Sequence, residues 1–172
     1  MSDVRLTGGC QCGAVRFAMT RAPHEPCICH CRMCQKAAGS IFGTFGGVDL
    51  EFFALTRGAI KWWASSATAE RGFCDNCGTP LAWREPDRAY IAMTIGSFDH
   101  PELVKPKYQY GAESMLPWIR QIINDLPPVA TGATGLQVKP DGDPHYELIR
   151  TSNHQHPDHD TIGWVPHVGG VQ

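Results

Sequence analysis

Four cysteines crowd eight positions in the stretch CICHCRMCQKAAGS, residues 27–40, and four more stand at Cys10, Cys12, Cys74 and Cys77. Two cysteines in a Cys-x-Cys unit rarely close on each other as a relaxed disulfide, so sulfur gathered this tightly points first to a metal. On an extended strand alternate side chains share a face, which lets Cys10 and Cys12 present two sulfurs on one side, half of a tetrahedron. Cys74-x-x-Cys77 followed by Gly78 reads as a turn that folds two sulfurs toward one point, the glycine tolerating the left-handed backbone such knuckles need.

The chemistry depends on how many sulfurs meet. Zinc with four thiolates is coordinatively closed and stabilises a fold, whereas zinc with three keeps a position for a reactant. The central run suits the second case: Cys29 and Cys31 are expected on one strand face, and Cys34 one helical turn later. The fourth position could hold water, a substrate thiolate or Cys27; for Cys27 the plainer reading is a buried free thiol. Spacing alone does not fix how the eight sulfurs divide between sites.

The elements that must position these sulfurs read mainly as strands. AVRFAMT, SIFGTFGGV, LEFFAL, AIKWWAS, TPLAWRE and AYIAMTIG are rich in β-branched and aromatic residues, and 18 glycines and 13 prolines punctuate the chain. Two short helices are expected, one over Met33 to Ala38 and one in ESMLPWIRQIINDL, where Trp118, Ile119, Ile122, Ile123 and Leu126 recur at helical spacing before Pro127 and Pro128 stop it. The architecture predicted is an irregular β-sandwich of antiparallel strands. With 172 residues the chain is long enough for one core, placed at residues 1–128, with 129–172 as an extension.

Charge narrows the functions. Fifteen basic residues against seventeen acidic leave a formal charge of -2, which gives no overall footprint for nucleic acid or an anionic membrane surface. No apolar run of signal-peptide or membrane-spanning length is present. A cytoplasmic, reducing location is therefore expected, where clustered thiols serve metal binding or redox chemistry more than disulfides.

TGGCQCGAVRF, CHCRMCQKAAGSIF and ERGFCDNCGTPLAW, in that order, resemble the family of glutathione-dependent formaldehyde-activating enzymes, and IGSFDHPELVKP and PWIRQIINDLP resemble its later part. The resemblance implies a zinc-containing β-tent with two zincs per chain. It implies that Cys10, Cys12, Cys74 and Cys77 hold a structural zinc and that Cys29, Cys31 and Cys34 form an open, catalytic one. The implied reaction is reversible carbon–sulfur bond formation between glutathione and formaldehyde, a lyase chemistry in which zinc keeps a bound thiol ionised for attack on a carbonyl carbon.

Glutathione needs donors for its carboxylates, and Arg32, Lys36 and Arg71 are the candidates near the cysteines. Trp62 and Trp63 are candidates for a pocket wall, with at least one expected in the core because adjacent strand residues face opposite ways. The tail offers His154, His156, Asp158, His159 and Asp160 as a further metal-like group, more simply read as a polar tail. The partners expected are a small thiol and an aldehyde, and the aromatic strands are compatible with a homodimer. The competing reading is a non-catalytic zinc module that binds another protein, which gains if Cys27 closes the central site. A methionine sulfoxide reductase-like redox enzyme is disfavoured, because no cysteine follows Cys77.

Overall fold

The computed structural model describes residues 5–125 and 155–165. These fall into two compact units, residues 5–115 with 155–165, and residues 116–125. The first unit is mainly β. Its strands are β1 (Leu6–Gly9), β2 (Arg16–Met19), β3 (His24–Cys29), β4 (Gly43–Asp49), β5 (Phe53–Arg57), β6 (Lys61–Ala64), β7 (Glu70–Phe73), β8 (Pro80–Arg84), β9 (Tyr90–Thr94) and β10 (Tyr108–Tyr110), with one short helix, α1 (Arg32–Ala38). The second unit contains helix α2 (Ile119–Asp125), inside the segment expected to be helical; Leu126 and His154 lie outside the described residues.

The strands form two open sheets, three-stranded β1-β2-β5 and seven-stranded β10-β3-β4-β9-β8-β7-β6. All pairings are antiparallel except β10 with β3, which run parallel and set Tyr108 opposite Cys27 and Tyr110 opposite Cys29. Both sheets feed one core. Leu6, Phe17 and Met19 from the smaller sheet pack with Val48, Leu81, Ile91 and Met93 from the larger, and Phe98 meets Phe17 edge-on at 5.2 Å between centroids. Apolar burial of this kind is the main driving force for the fold.

The two tryptophans divide as adjacent strand residues must. Trp62 packs against the core with Arg84 stacked on its ring at 3.8 Å, while Trp63 is 61% exposed. No helix among the described residues is long and apolar enough to cross a membrane.

Candidate metal centres and active site

Cys10 and Cys12 do not lie on a strand. Both fall in the tight turn after β1, closed by Gly13 N donating to Cys10 O at 3.0 Å and by Cys10 N donating to Val15 O at 3.0 Å. Gly13, at φ 75, supplies the left-handed residue that turn demands. A turn brings two sulfurs together as well as a strand face would: their Sγ atoms are 3.5 Å apart. The turn between β7 and β8 supplies Cys74 and Cys77, with Gly78 at φ 74 donating its N–H to Cys74 O at 2.9 Å.

The ligand atoms of Cys10, Cys12, Cys74 and Cys77 lie within 4.8 Å of one another, and those of Cys29, Cys31 and Cys34 form a second such group. Two sulfurs on a tetrahedral zinc, each at about 2.3 Å, stand roughly 3.8 Å apart. The observed separations are 3.5 Å for Cys10 to Cys12, 3.9 Å for Cys12 to Cys74 and 3.4 Å for Cys29 to Cys31, well beyond a disulfide bond. All eight cysteines are free thiols. The donor sets therefore fit zinc in number, chemistry and spacing.

Hydrogen bonds aim at these sulfurs from several sides. Val15 N and Asn76 Nδ2 each donate at 3.2 Å, to Cys10 and Cys12 respectively; Cys34 N donates to Cys31 and Arg71 Nη2 to Cys34, both at 3.4 Å. Donors of this kind favour thiolates over thiols. Burial acts the other way. It pushes the Cys10 thiol up from its ordinary value and raises Cys29 to about 12. Burial also opposes ionisation of Cys31 and Cys77, yet backbone N–H groups hold Cys31 below its ordinary value, and the Thr79 hydroxyl and N–H bring Cys77 down to about 6. In each group, then, the fold eases ionisation of one sulfur and opposes that of another, and a bound cation would favour the thiolate at both.

The loop carrying the second group is held by its neighbours. Cys29 ends β3, and Cys31 caps α1 as its side chain accepts from Cys34 N. His30, fully buried between them, donates its N–H to Tyr110 O at 2.8 Å and pairs its Nε2 with Gln109 Oε1 at 3.0 Å. Gln35 reaches back from α1 to His30 O at 2.7 Å. Gly111, at φ 63, passes so near that a Cβ there would sit 2.7 Å from Cys31 N.

This three-sulfur group borders a cavity of 640 Å³. Its charged lining has both signs, with Arg71 and Arg88 against Glu25 and Asp49, and its aromatic lining includes Trp83, Tyr90 and Tyr110. Glu25 is held at φ 50, a conformation rare outside glycine, beside a bulge in the β3–β4 pairing. Burial, followed by the charges of Cys27 and Glu25, pushes the Tyr90 hydroxyl up to about 12, so it remains a donor through neutral pH. Cys27 also faces the cavity, raised to about 11 mainly by burial, and is not a member of the three-sulfur group.

Of the cations expected near substrate, Arg71 lines the cavity while Arg32 and Lys36 do not; Arg32 is exposed and donates to Gln35 Oε1. Arg88, Glu25, Asp49, Tyr90 and Tyr110 escaped sequence reasoning because they arrive from four separate strands and a loop. In the tail, His156, Asp158, His159 and Asp160 do not gather three ligand atoms at one point among the described residues. His156 instead is 5% exposed, donates its N–H to Gln11 O at 2.7 Å and lays its ring over Gly13.

Known proteins resemble this chain in two further ways. An uncharacterized lyase of Schizosaccharomyces pombe is 31% identical over 121 residues, covering 70% of this chain and 80% of the relative. A crystal structure of a Rhodobacter sphaeroides protein shares 18% identity at a TM-score of 0.48, covering 59% of this chain and 98% of that one, a likeness too slight to bear on function. Residues 5–113 match the glutathione-dependent formaldehyde-activating enzymes, and with all three cysteine blocks inside that span the chain belongs to this family.

Proposed function

We propose that the protein is a zinc-dependent carbon–sulfur lyase acting on adducts of glutathione, or a related thiol, with an aldehyde. Cys10, Cys12, Cys74 and Cys77 would hold a structural zinc, and Cys29, Cys31 and Cys34 a catalytic one. One observation carries the reading: the group with only three sulfurs, short of a tetrahedral set, has all three lining a 640 Å³ cavity of mixed charge, whereas the space beside Cys10 and Cys77 measures 430 Å³ and adjoins a group that already has four. Family membership and the lyase relative support the reaction class.

Zinc at the open group would supply an electrophilic centre at which a substrate thiol stays ionised near neutral pH. The chain's own residues do the rest. Arg71 and Arg88 offer guanidinium forks to substrate carboxylates, and Glu25 and Asp49 suit an ammonium group, matching the amphoteric charge of glutathione. The protonated Tyr90 hydroxyl is a donor for the aldehyde oxygen. In synthesis the sulfur lone pair forms the S–C bond as the C=O π pair moves to oxygen, which takes a proton. In breakdown the S–C pair returns to sulfur and the hydroxyl proton leaves.

Zinc stoichiometry and X-ray absorption, before and after glutathione is added, test the proposal. One site of three protein sulfurs that gains a sulfur from glutathione is the expected result. Two sites each already holding four sulfurs and indifferent to glutathione would sink it, and a non-catalytic zinc module would take its place.

A further inference from the structure

A second recess adjoins the charged cavity. It measures 290 Å³ and is walled by Ala37 and Ala38 of α1 with Phe45, Trp63, Phe73 and Ala82. Phe45 and Arg71 line both spaces, so the two meet beside the three-sulfur group. The junction is close to Cys34: Arg71 donates to its sulfur, and a Cβ added at Gly43 would come within 2.8 Å of the Phe45 ring and 3.2 Å of Cys34 Cβ. The first space sets charged side chains of both signs among aromatic walls, the second has Arg71 as its one charged side chain, and Cys34 lies close to both.

Resting on the lyase reading above, we propose that this recess receives an apolar, ring-sized group carried on the substrate sulfur. The preferred substrates are then glutathione adducts of aromatic or bulky apolar aldehydes. Formaldehyde adds one carbon and its oxygen to sulfur, and glutathione itself is polar and charged at both ends; neither gives an apolar recess anything to hold. An aromatic ring fits by size, since roughly 150 Å³ of apolar cavity admits benzene. It also covers Trp63, whose large exposed surface otherwise faces water beside the site. The bond changes are those already described, with an aryl or alkyl group in place of one formaldehyde hydrogen.

The test uses the zinc-loaded full chain and two unreactive thioethers, S-methylglutathione and S-benzylglutathione, titrated by calorimetry. S-benzylglutathione is expected to bind at least roughly tenfold tighter. In Trp63→Ala that ratio falls toward one. Equal binding of the two thioethers by the wild-type chain, or a ratio that Trp63→Ala leaves unchanged, overturns the inference. Should glutathione bind without any gain from the benzyl group, only this inference fails; should neither glutathione nor a thioether bind, glutathione is not the thiol of the lyase reading and this inference falls with it. A concentration-dependent dimer, seen by sedimentation and competing with S-benzylglutathione, would give the recess to a second copy of the chain and overturn the proposal.

Discussion

Arg71 joins the three-sulfur group to the cavity, its Nη2 donating to Cys34 Sγ and its side chain in the cavity wall. Hydrogen bonds to charged groups contribute about 1.5 to 3 kcal/mol. Arg71→Met is therefore expected to raise KM for the thiol by roughly tenfold or more while bound zinc, measured by elemental analysis, is retained. Cys34→Ser acts on the metal instead, releasing about one zinc equivalent and abolishing turnover with the circular dichroism unchanged. Away from the site, the buried pair of Arg16 and Asp99, at 2.5 Å and with a further bond from Thr7, sets an acid limit. Burial opposes ionisation of Asp99, but Arg16 and Thr7 outweigh it and hold the carboxyl below its ordinary value. Its contribution is whole above about pH 3.9 and is lost as pH falls through the lower folded value. Urea midpoints measured down the pH scale should drop in acid more steeply for the wild type than for Asp99→Asn, which at neutral pH costs about 3 to 5 kcal/mol. Each local cysteine pair or run was legible from its spacing, but the joining of Cys10 and Cys12 with Cys74 and Cys77 came only with the family resemblance. The charged lining of the cavity was not, because Glu25, Asp49, Arg88 and Tyr110 lie far apart in sequence.

At the level of elements, the strands with continuous apolar or aromatic residues were legible, and β3 and β10, which flank the three-sulfur group, were less so: Cys29 ends a strand as expected, while Cys31 lies beyond it at the cap of α1. HEPCIC becomes β3 with a buried proline and a bulge, and YQY becomes β10 with all three residues exposed; neither shows alternation, since both owe their conformation to pairing with neighbours. Cys10 and Cys12 illustrate the same limit. A Cys-x-Cys pair suits a strand face equally well, and only Gly13 in the left-handed region marks the turn. Gly111 is the corresponding position for the loop that carries the three-sulfur group, with β10 ending just before it. Gly111→Ala puts a Cβ against Cys31 N in a backbone conformation that disfavours alanine. It should destabilise the fold by about 1 to 3 kcal/mol and weaken metal at the three-sulfur group before the four-sulfur one, as followed by chelator competition.

Over the whole molecule the two metal groups differ in what they join. The four-sulfur group takes one pair from the turn after β1 in the small sheet and the other from the turn between β7 and β8 in the large one, so an ion there cross-links both sheets. The three-sulfur group spans only the end of β3 and the start of α1. Graded chelation should therefore release metal in two phases, the first without loss of structure and the second together with cooperative unfolding, read by a metal-indicator dye alongside circular dichroism. The segment from Gln155 to Val165 adds to this arrangement. Arg57 binds Gly13 O at 3.1 Å, Asp160 at 2.8 Å and Thr161 O at 2.6 Å, with Trp164 under its guanidinium, while His156 covers Gly13. Arg57 and Gly13 lie inside the span that matches the family and their partners from His156 to Trp164 lie outside it, so that span is not the whole of what packs together. A gene fragment trimmed to the matched span would encode every cysteine and still yield a protein with a carbonyl at Gln11 and the face of Gly13 left bare, and expression vectors should be drawn to keep the tail.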